Sequence, residues 1–137
     1  MELCEGGTLA DLMNKYIKTR FKENQIIYIM KDLIQGVKAL HDIGLAHRDL
    51  KLENILLHLK RFKICDFGAC SELKVKADLH PKEKKKLIEG IFERHSTEMY
   101  RAPEMTSAYL KFPIGLKTDI WQLGCILYTI TFFLHPF

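Results

Sequence analysis

Apolar side chains recur at spacings of four and three along one stretch of the chain, and this period constrains the fold more than any other feature. The residues are Ile26, Met30, Leu33, Val37 and Leu40. Such spacing places the apolar groups on one face of an α-helix. Gly44 follows and readily adopts the left-handed conformation that ends many helices. The pattern therefore predicts a helix over 23–43 that packs against a core.

Shorter elements are predicted on either side of this helix. The run from Thr8 to Asp11 is typical of a helix N-terminus, because a threonine oxygen can accept from an unpaired amide and an acid favours the positive end of the dipole. A helix is therefore expected over 9–18. Farther along, β-capable segments at 55–57 and 62–65 flank a short polar connection and predict a small hairpin.

The apolar stretch at 120–134 predicts a buried helix. It has 15 residues with polar side chains among them, whereas a membrane-spanning helix needs roughly 20 apolar residues. No transmembrane segment is therefore expected. The first residues, which include Glu2 and Glu5, lack the basic and apolar regions of a secretory signal, so export is not expected either.

Charge and cysteine content narrow the class of protein. Lysine and arginine number 21 against 17 acidic residues, and a net charge of +4 is too small to indicate a nucleic-acid partner. The four cysteines show neither zinc-ligand spacing nor a disulfide framework. Reduced thiols, and hence a cytoplasmic location, fit this usage best.

The segment between residues 66 and 104 shows no strong hydrophobic period. A connection of this length in a compact domain is usually functional or partly disordered, so we expect a mobile loop, above all at 74–86. The charged run at 81–86 within it is expected to face solvent.

Four short motifs occur in order along the chain. They are His47-Arg48-Asp49-Leu50-Lys51-Leu52-Glu53-Asn54, Asp66-Phe67-Gly68, Ala102-Pro103-Glu104 and Asp119-Ile120-Trp121-Gln122-Leu123-Gly124. A lone tripeptide match arises easily by chance, but an ordered set of four does not. With this set the chain resembles the eukaryotic protein kinases. The resemblance implies an α+β fold, a mostly helical C-terminal lobe with a small hairpin that carries the catalytic and Asp-Phe-Gly loops.

The resemblance also implies the chemistry, which is transfer of the γ-phosphoryl group of ATP to a hydroxyl. Asp49 matches the catalytic base, Lys51 matches the cation beside the transferring phosphate, and Thr97 matches a hydroxyl that contacts both. Asn54 and Asp66 match the magnesium ligands, in keeping with the preference of this cation for oxygen donors. ATP and Mg²⁺ are thus the expected cofactors.

Other residues are assigned to nucleotide binding or support, again by resemblance. The hinge backbone at Glu2 and Cys4 is expected to contact the adenine edge, and Leu56 to pack beneath the ring. Support is expected from His47 and Phe67 packed inward, Arg48 anchoring a phosphorylated segment, Gly68 turning the chain and Asp119 accepting catalytic-loop amides. Glu104 matches a residue that pairs with a distant arginine in such kinases, and that arginine is expected to be missing from this sequence. Each residue also has a plain structural interpretation, as a turn cap or a core side chain.

The same resemblance divides the chain as a partial kinase domain over 1–137. The expected parts are a hinge at 1–7, helices at 8–44, the catalytic loop and hairpin at 45–65, an activation segment at 66–104 and a central buried helix at 118–134. The sequence contains neither a glycine-rich phosphate loop nor the strand lysine of the N-terminal lobe, so that lobe is expected to be absent.

Finer features concern the acceptor and the subfamily. Thr97 and Lys51 favour serine or threonine acceptors over tyrosine, and Ala102-Pro103-Glu104 favours a protein substrate over a small molecule. The segment 97–137 resembles the Numb-associated kinase family, which includes the adaptor-associated and cyclin-G-associated kinases. That resemblance implies a clathrin-adaptor subunit as substrate and a peripheral location at vesicle membranes.

Two interpretations stay open at this level. In one, the sequence is part of a longer active kinase, and these residues alone would be inactive and poorly soluble. In the other, the chain is a non-catalytic binding scaffold, similar to a pseudokinase. Intact Asp49, Lys51, Asn54 and Asp66 favour the first.

Overall fold

The computed structural model describes residues 4–72, 74–92 and 96–137. Within these ranges the elements are α1 (Leu9–Lys15), α2 (Glu23–Asp42), β1 (Ile55–His58), β2 (Arg61–Ile64), α3 (Pro81–Leu87) and α4 (Lys117–Phe132). Short 3-10 turns lie at Leu52–Asn54, Phe67–Ala69, Glu98–Tyr100 and Pro103–Met105, and a π-helical turn at Ile88–Phe92 continues α3. The fold is α+β, with one antiparallel hairpin among helices.

The first two helices begin and end where local chemistry favours it. At α1, the Thr8 hydroxyl accepts from the Asp11 amide at 3.0 Å while the Asp11 carboxylate accepts from the Thr8 amide at 2.9 Å, a reciprocal cap. Helix α2 buries Ile29, Leu33 and Val37, and the chain leaves it through Gly44 at φ +82°. Both predicted helices are present, although α1 ends three residues before the expected Lys18.

The hairpin is tighter than the sequence predicted. Strand pairing extends from Ile55 opposite Ile64 to His58 opposite Arg61, which leaves only Leu59 and Lys60 in the turn. Both turn residues have positive φ, 45° and 63°, a conformation that usually selects asparagine and glycine.

Helix α2 holds this hairpin through its polar side chains. Asp32 accepts from the Phe62 amide at 2.9 Å and pairs with Arg61 at 2.8 Å. The Tyr28 hydroxyl donates to the Lys60 carbonyl at 2.7 Å. These bonds fix the turn and the start of β2 on the helix, and thereby position the loop that follows β2.

Two apolar clusters form the core. The larger joins α1, α2, the hairpin and α4, and includes Leu9, Leu33, Leu50, Ile55, Ile126 and Ile130. The smaller is formed by side chains from the segment 75–114, namely Val75, Ile88, Ala102, Met105 and Ile114. Trp121 of α4 packs against both clusters, so α4 connects them.

Helix α3 and its buried lysine were not predicted. The segment expected to be a loop contains this helix, and Lys84, expected to face solvent, is fully buried. Its ammonium donates to the Leu110 carbonyl at 2.6 Å and the Phe112 carbonyl at 2.9 Å. A lysine stem can pack as an apolar group when its charged end is hydrogen-bonded, so hydrophobic spacing alone does not reveal such a helix.

Helix α4 is buried on one face only, which corrects the prediction of a buried helix at 118–134. The buried face includes Asp119, Gln122, Ile126 and Ile130. The opposite face leaves four large apolar side chains exposed, Ile120, Leu127, Tyr128 and Phe132. In the described ranges, none of the helices combines the length and apolar character that crossing a membrane requires.

Candidate active site

A buried carboxylate of α4 organises the loop that precedes the hairpin. Asp119 accepts from the backbone amides of His47 and Arg48, each at 2.8 Å, through its two oxygens. The His41 ring at the end of α2 lies 2.8 Å from the same carboxylate. Asp119 therefore joins three segments that are distant in sequence. Its predicted support of the loop amides matches these contacts.

Gln122, one helical turn farther along α4, is a second support that the sequence interpretation missed. Its carbonyl oxygen accepts from the Leu50 amide at 3.0 Å, and its amide nitrogen donates to the Arg48 carbonyl at 2.8 Å. Between these bonds the Arg48 backbone adopts φ +69°, which is unfavourable for a side chain with a Cβ. A glutamine within the apolar stretch at 120–134 was the available signal.

The Asp49 carboxylate lies at the centre of the polar site. One oxygen accepts from the Thr97 amide at 2.9 Å and the Thr97 hydroxyl at 2.8 Å. The other lies 3.0 Å from the Lys51 ammonium and 3.2 Å from the Asn54 amide nitrogen. Lys51 also donates to the Thr97 hydroxyl at 2.8 Å. The structure thus brings together Asp49, Lys51 and Thr97, which the resemblance assigned to the reaction, and Asn54, which it assigned to the metal.

A polar pocket of about 420 Å³ opens beside this cluster. It is lined by Asp49, Lys51, Asp66, Gly68, Ala69, Ser96 and Thr97. Asp66 reaches it from a left-handed backbone at φ 60°, and the Gly68 amide donates to its carboxylate at 3.3 Å. The pocket therefore combines two carboxylates, an ammonium and hydroxyl groups at a single opening to solvent.

The oxygen donors at this pocket suit a hard divalent cation. The Asn54 amide nitrogen donates to the Asp49 carbonyl at 2.9 Å, which fixes the amide and leaves its oxygen as a ligand. The Cys65 amide donates to the Asn54 carbonyl at 2.9 Å and so places Asp66 next along the chain. The described residues include no group of three or more His, Cys, Asp or Glu suited to a metal. Magnesium commonly takes only one or two protein ligands and completes its shell with phosphate and water, so Asn54 and Asp66 fit it.

His47 and Phe67 differ in how far they are buried. His47 is fully buried, with one ring nitrogen 3.0 Å from the Cys65 carbonyl and the other accepting from the Asp49 amide at 3.3 Å. Phe67 was expected to pack inward, but 52% of it is exposed. Its ring meets the His47 ring edge-on, with the ring centroids 5.4 Å apart.

Arg48 and Glu104 are two charged residues to which the resemblance assigned supporting roles. Arg48 is buried and donates to the Ser71 hydroxyl, and burial lowers the pKa of its guanidinium from the ordinary value. Ser71 also pairs with Ala46 through backbone bonds of 3.1 and 3.2 Å. Glu104 is half-buried and forms no ion pair within the described part of the chain.

Ser96 is another residue at the site whose structural role the sequence did not predict. Arg101 donates to its hydroxyl at 3.0 Å and to its carbonyl at 2.8 Å. Because Ser96 directly precedes Thr97, these bonds fix the backbone next to Thr97 and so help to position Thr97 beside Asp49. An arginine five residues after a serine gives no pattern that sequence reading would recognise.

The segment expected to contact adenine runs beside β1. Backbone bonds of 3.0 and 2.9 Å join Gly6 and Gly7 to Leu57, and Thr8 pairs with Leu56. Cys4 is half-buried at the start of this segment, whereas Glu2 lies outside the described residues. Cys65 follows directly after β2. Burial raises the pKa of its thiol, and the neighbouring Asp66 and Cys4 raise it further.

Comparisons with known proteins agree with these motifs. The family model for the protein kinase domain matches residues 1–137. Over the full chain, actin-regulating kinase PRK1 of Saccharomyces cerevisiae is 39% identical, a probable serine/threonine-protein kinase of Dictyostelium discoideum 40%, and serine/threonine-protein kinase AKL1 of S. cerevisiae 39%. The chain spans 17%, 17% and 12% of the lengths of these three relatives.

Proposed function

The chain belongs to the protein kinase domain family, and from this premise we propose that its pocket phosphorylates serine or threonine hydroxyls of a protein substrate. The observation that carries the proposal is the contact of the Thr97 hydroxyl with both Asp49 and Lys51, at 2.8 Å each. The Thr97 hydroxyl thereby holds together a carboxylate that can accept the proton of a substrate hydroxyl and a cation that can neutralise developing charge. Phosphoryl transfer needs this arrangement.

In the proposed reaction Asp49 orients the acceptor hydroxyl and takes its proton as the oxygen attacks. Lys51, held 3.0 Å from Asp49, stabilises negative charge on the phosphoryl oxygens. The four backbone bonds from Asp119 and Gln122 keep the loop rigid, so little reorganisation is needed. Asp49 is the catalytic base, and Asp119 and Gln122 are positioning residues.

The proposed cofactors are ATP and Mg²⁺, which supply the phosphoryl group and the charge neutralisation that its transfer requires. Asn54 and Asp66 would hold the metal through oxygen atoms. The hinge near Cys4, with Leu56 beneath the ring, would bind adenine. Support for this part comes from the donor set at the pocket and from the run of residues 6–8 beside β1.

We further propose that the protein belongs with the Numb-associated kinases, acts in the cytoplasm or at vesicle surfaces, and phosphorylates a clathrin-adaptor subunit. The motif resemblance over 97–137 supports this assignment. Two of the relatives carry the name of actin-regulating kinase.

The phosphate-gripping groups expected of such kinases are not among these 137 residues. The chain contributes the acceptor side of the cleft, with Asp49, Lys51 and the metal ligands. We therefore expect the 137-residue polypeptide alone to transfer phosphate negligibly, and the natural product of its gene, with any coding sequence continuous with it, to be the active form.

Substitution of the proposed base tests the function. Asp49→Asn in the natural gene product should lower transfer from labelled ATP to serine and threonine peptides by about a hundredfold to ten-thousandfold, because an amide cannot accept the proton. Asp42→Asn is the matched control, since Asp42 is an exposed carboxylate on α2 paired only with Lys38. That variant should retain full activity.

Retained activity in Asp49→Asn would contradict the proposal. So would the absence of Mg²⁺-dependent transfer from the unsubstituted protein, a result that favours the non-catalytic scaffold. Transfer to tyrosine peptides alone would overturn the acceptor class. Robust, Asp49-dependent transfer by the 137-residue polypeptide would overturn its expected inactivity and leave the reaction assignment intact.

A further inference from the structure

The positive charge of this protein is concentrated in two stretches that pack together. Residues 72–89 and 105–117 contain eight lysines and four acidic residues, and the rest of the chain is balanced, so the net charge of +4 resides there. An antiparallel bridge between Val75 and Ile114, with backbone bonds of 2.9 Å in both directions, joins the two stretches. The bridge therefore brings lysines of both stretches close together, while Lys84 is buried and does not contribute to the surface charge.

Side chains around this bridge alternate between core and solvent. Val75 and Ile114 are buried, so the flanking Lys74 and Lys76 project on the opposite, exposed side. Antiparallel pairing places Lys76 across from Pro113, next to Phe112. Glu72 and Asp78 are the exposed acids nearest in sequence.

The adjoining loop presents aromatic groups in a fixed backbone. Lys84, buried in the smaller core, donates to the Leu110 and Phe112 carbonyls at 2.6 and 2.9 Å and so holds both sides of Lys111. The side chains of this loop point outward, with Tyr109 81% and Phe112 60% exposed and Lys111 exposed between them. We name Lys74, Lys76, Tyr109, Lys111 and Phe112 the basic-aromatic cap.

We propose that the basic-aromatic cap docks this protein on the surface of a bilayer that contains anionic phospholipids. Lysines beside a membrane bind the negative headgroup layer, while tyrosine and phenylalanine rings enter the interfacial region. The cap combines both kinds of side chain on a loop whose backbone is already fixed, so little conformational entropy is lost on docking. This inference goes beyond the proposed function and does not depend on phosphoryl transfer.

A bilayer fits this surface better than an acidic protein does. A peptide partner would need a groove or a free strand edge with pockets for its side chains. Tyr109 and Phe112 instead project from the surface, and the backbone beside them is already bonded to Val75 and Lys84. Protruding rings among lysines suit a deformable, negatively charged layer.

Vesicle sedimentation measures the proposed docking. The natural gene product that contains this chain should bind vesicles of phosphatidylcholine with about 30% phosphatidylserine, bind pure phosphatidylcholine much more weakly, and release at high salt, since each lysine contributes about 1 kcal/mol at the surface. Lys76→Glu/Lys111→Glu should weaken binding about thirtyfold or more. Lys15→Glu/Lys18→Glu is the control with the same total charge, on exposed lysines of another surface, and should change binding less than about twofold.

The aromatic part needs its own variants. Tyr109→Ser/Phe112→Ser should weaken vesicle binding at unchanged net charge, because ring insertion is lost. Ile17→Ser/Ile43→Ser removes two other exposed apolar side chains and should leave binding unchanged. All four pairs are exposed, so circular dichroism should show the same fold for each.

Several results would overturn the proposal. They are equal binding to neutral and anionic vesicles, equal weakening by the cap variants and their controls, or a soluble polyglutamate peptide that binds the chain as tightly as anionic vesicles do. The last result would identify the cap as a site for an acidic protein.

Discussion

Tyr100 shows how one buried side chain makes stability depend on pH. Only 3% of it is exposed, and burial, with a further contribution from Glu53, raises the pKa of its phenol to about 12. An unfolded tyrosine ionises near pH 10. The neutral phenol therefore contributes stability that is fully present below pH 10 and is lost as the pH rises towards 12.

Replacement of Tyr100 by phenylalanine should make alkaline unfolding less steep. The unsubstituted protein is expected to lose up to about 3 kcal/mol more than Tyr100→Phe between pH 9 and 12, because only its unfolded state gains a charge there. Urea titrations at several alkaline pH values measure the difference. Tyr109→Phe, at an exposed phenol, should follow the unsubstituted protein. If the free energy of unfolding of Tyr100→Phe and of the unsubstituted protein depended on pH in the same way, the raised pKa of Tyr100 would be refuted.

At the level of elements, the hairpin turn is the clearest conflict between sequence and structure. Leu59 and Lys60 both have left-handed φ, which costs residues with a Cβ roughly 1–2 kcal/mol each. Neighbouring bonds overcome this cost, among them the Tyr28 hydroxyl on the Lys60 carbonyl and Asp32 on the Phe62 amide. The contacts with α2 impose the turn on a sequence that does not favour it.

Relief of that conflict should stabilise the protein. Leu59→Asn/Lys60→Gly is expected to raise the free energy of unfolding by about 1–2 kcal/mol, since asparagine and glycine adopt this turn readily. The bonds to α2 use the Lys60 carbonyl and the Phe62 amide, which the substitutions leave in place, so both bonds remain. Lys18→Gly, at a position without positive φ, should be neutral or destabilising. Urea unfolding gives both values, and a loss of stability in the double variant would contradict the argument.

The elements also show where sequence reasoning works. Helix α2 was predictable because its apolar residues are many and regularly spaced, so the period is visible without any tertiary contact. Helix α3 was not predictable, since its inward face includes a lysine whose charge is satisfied by the carbonyls of Leu110 and Phe112. Those partners lie more than 25 residues away in sequence.

The whole molecule depends on contacts of long sequence separation at Asp119. This buried carboxylate links α4, the end of α2 and the 45–54 loop through three contacts of 2.8 Å. An isosteric amide cannot accept all three, and one of its N–H groups would face an amide donor. The loop and α4 would then both carry unsatisfied buried groups.

Asp119→Asn should therefore destabilise the fold by about 2–3 kcal/mol, because buried amides of the loop lose a charged acceptor. Thermal or urea unfolding measures this change. Asp42→Asn, which removes an exposed carboxylate, should alter stability by less than about 0.5 kcal/mol. Equal effects of the two substitutions would show that Asp119 does not hold the loop.

For the molecule as a whole, the motifs predict which residues belong to the site, and tertiary contacts hold those residues in position. Ordered motifs predict that Asp49, Lys51, Asn54 and Asp66 belong to one site, because spacing within a motif is local. The supports at Gln122 and His41 were not predictable, since their partners lie more than 70 residues away in sequence. The bonds of Arg101 to Ser96 span only five residues but follow no recognisable sequence pattern. The exposure of Phe67 was not predictable either, because it depends on which other segments pack near its ring.

The Asp49 carboxylate already accepts four donors, about as many as its lone pairs can serve. If the Thr97 side chain rotates away, its hydroxyl loses its bonds to both Asp49 and Lys51. An incoming alcohol can replace both bonds, since it donates to the carboxylate and accepts from the ammonium, whereas a molecule without a proton to donate leaves the bond to Asp49 unmade. In the proposed function, the site would therefore favour acceptors that donate a hydrogen bond.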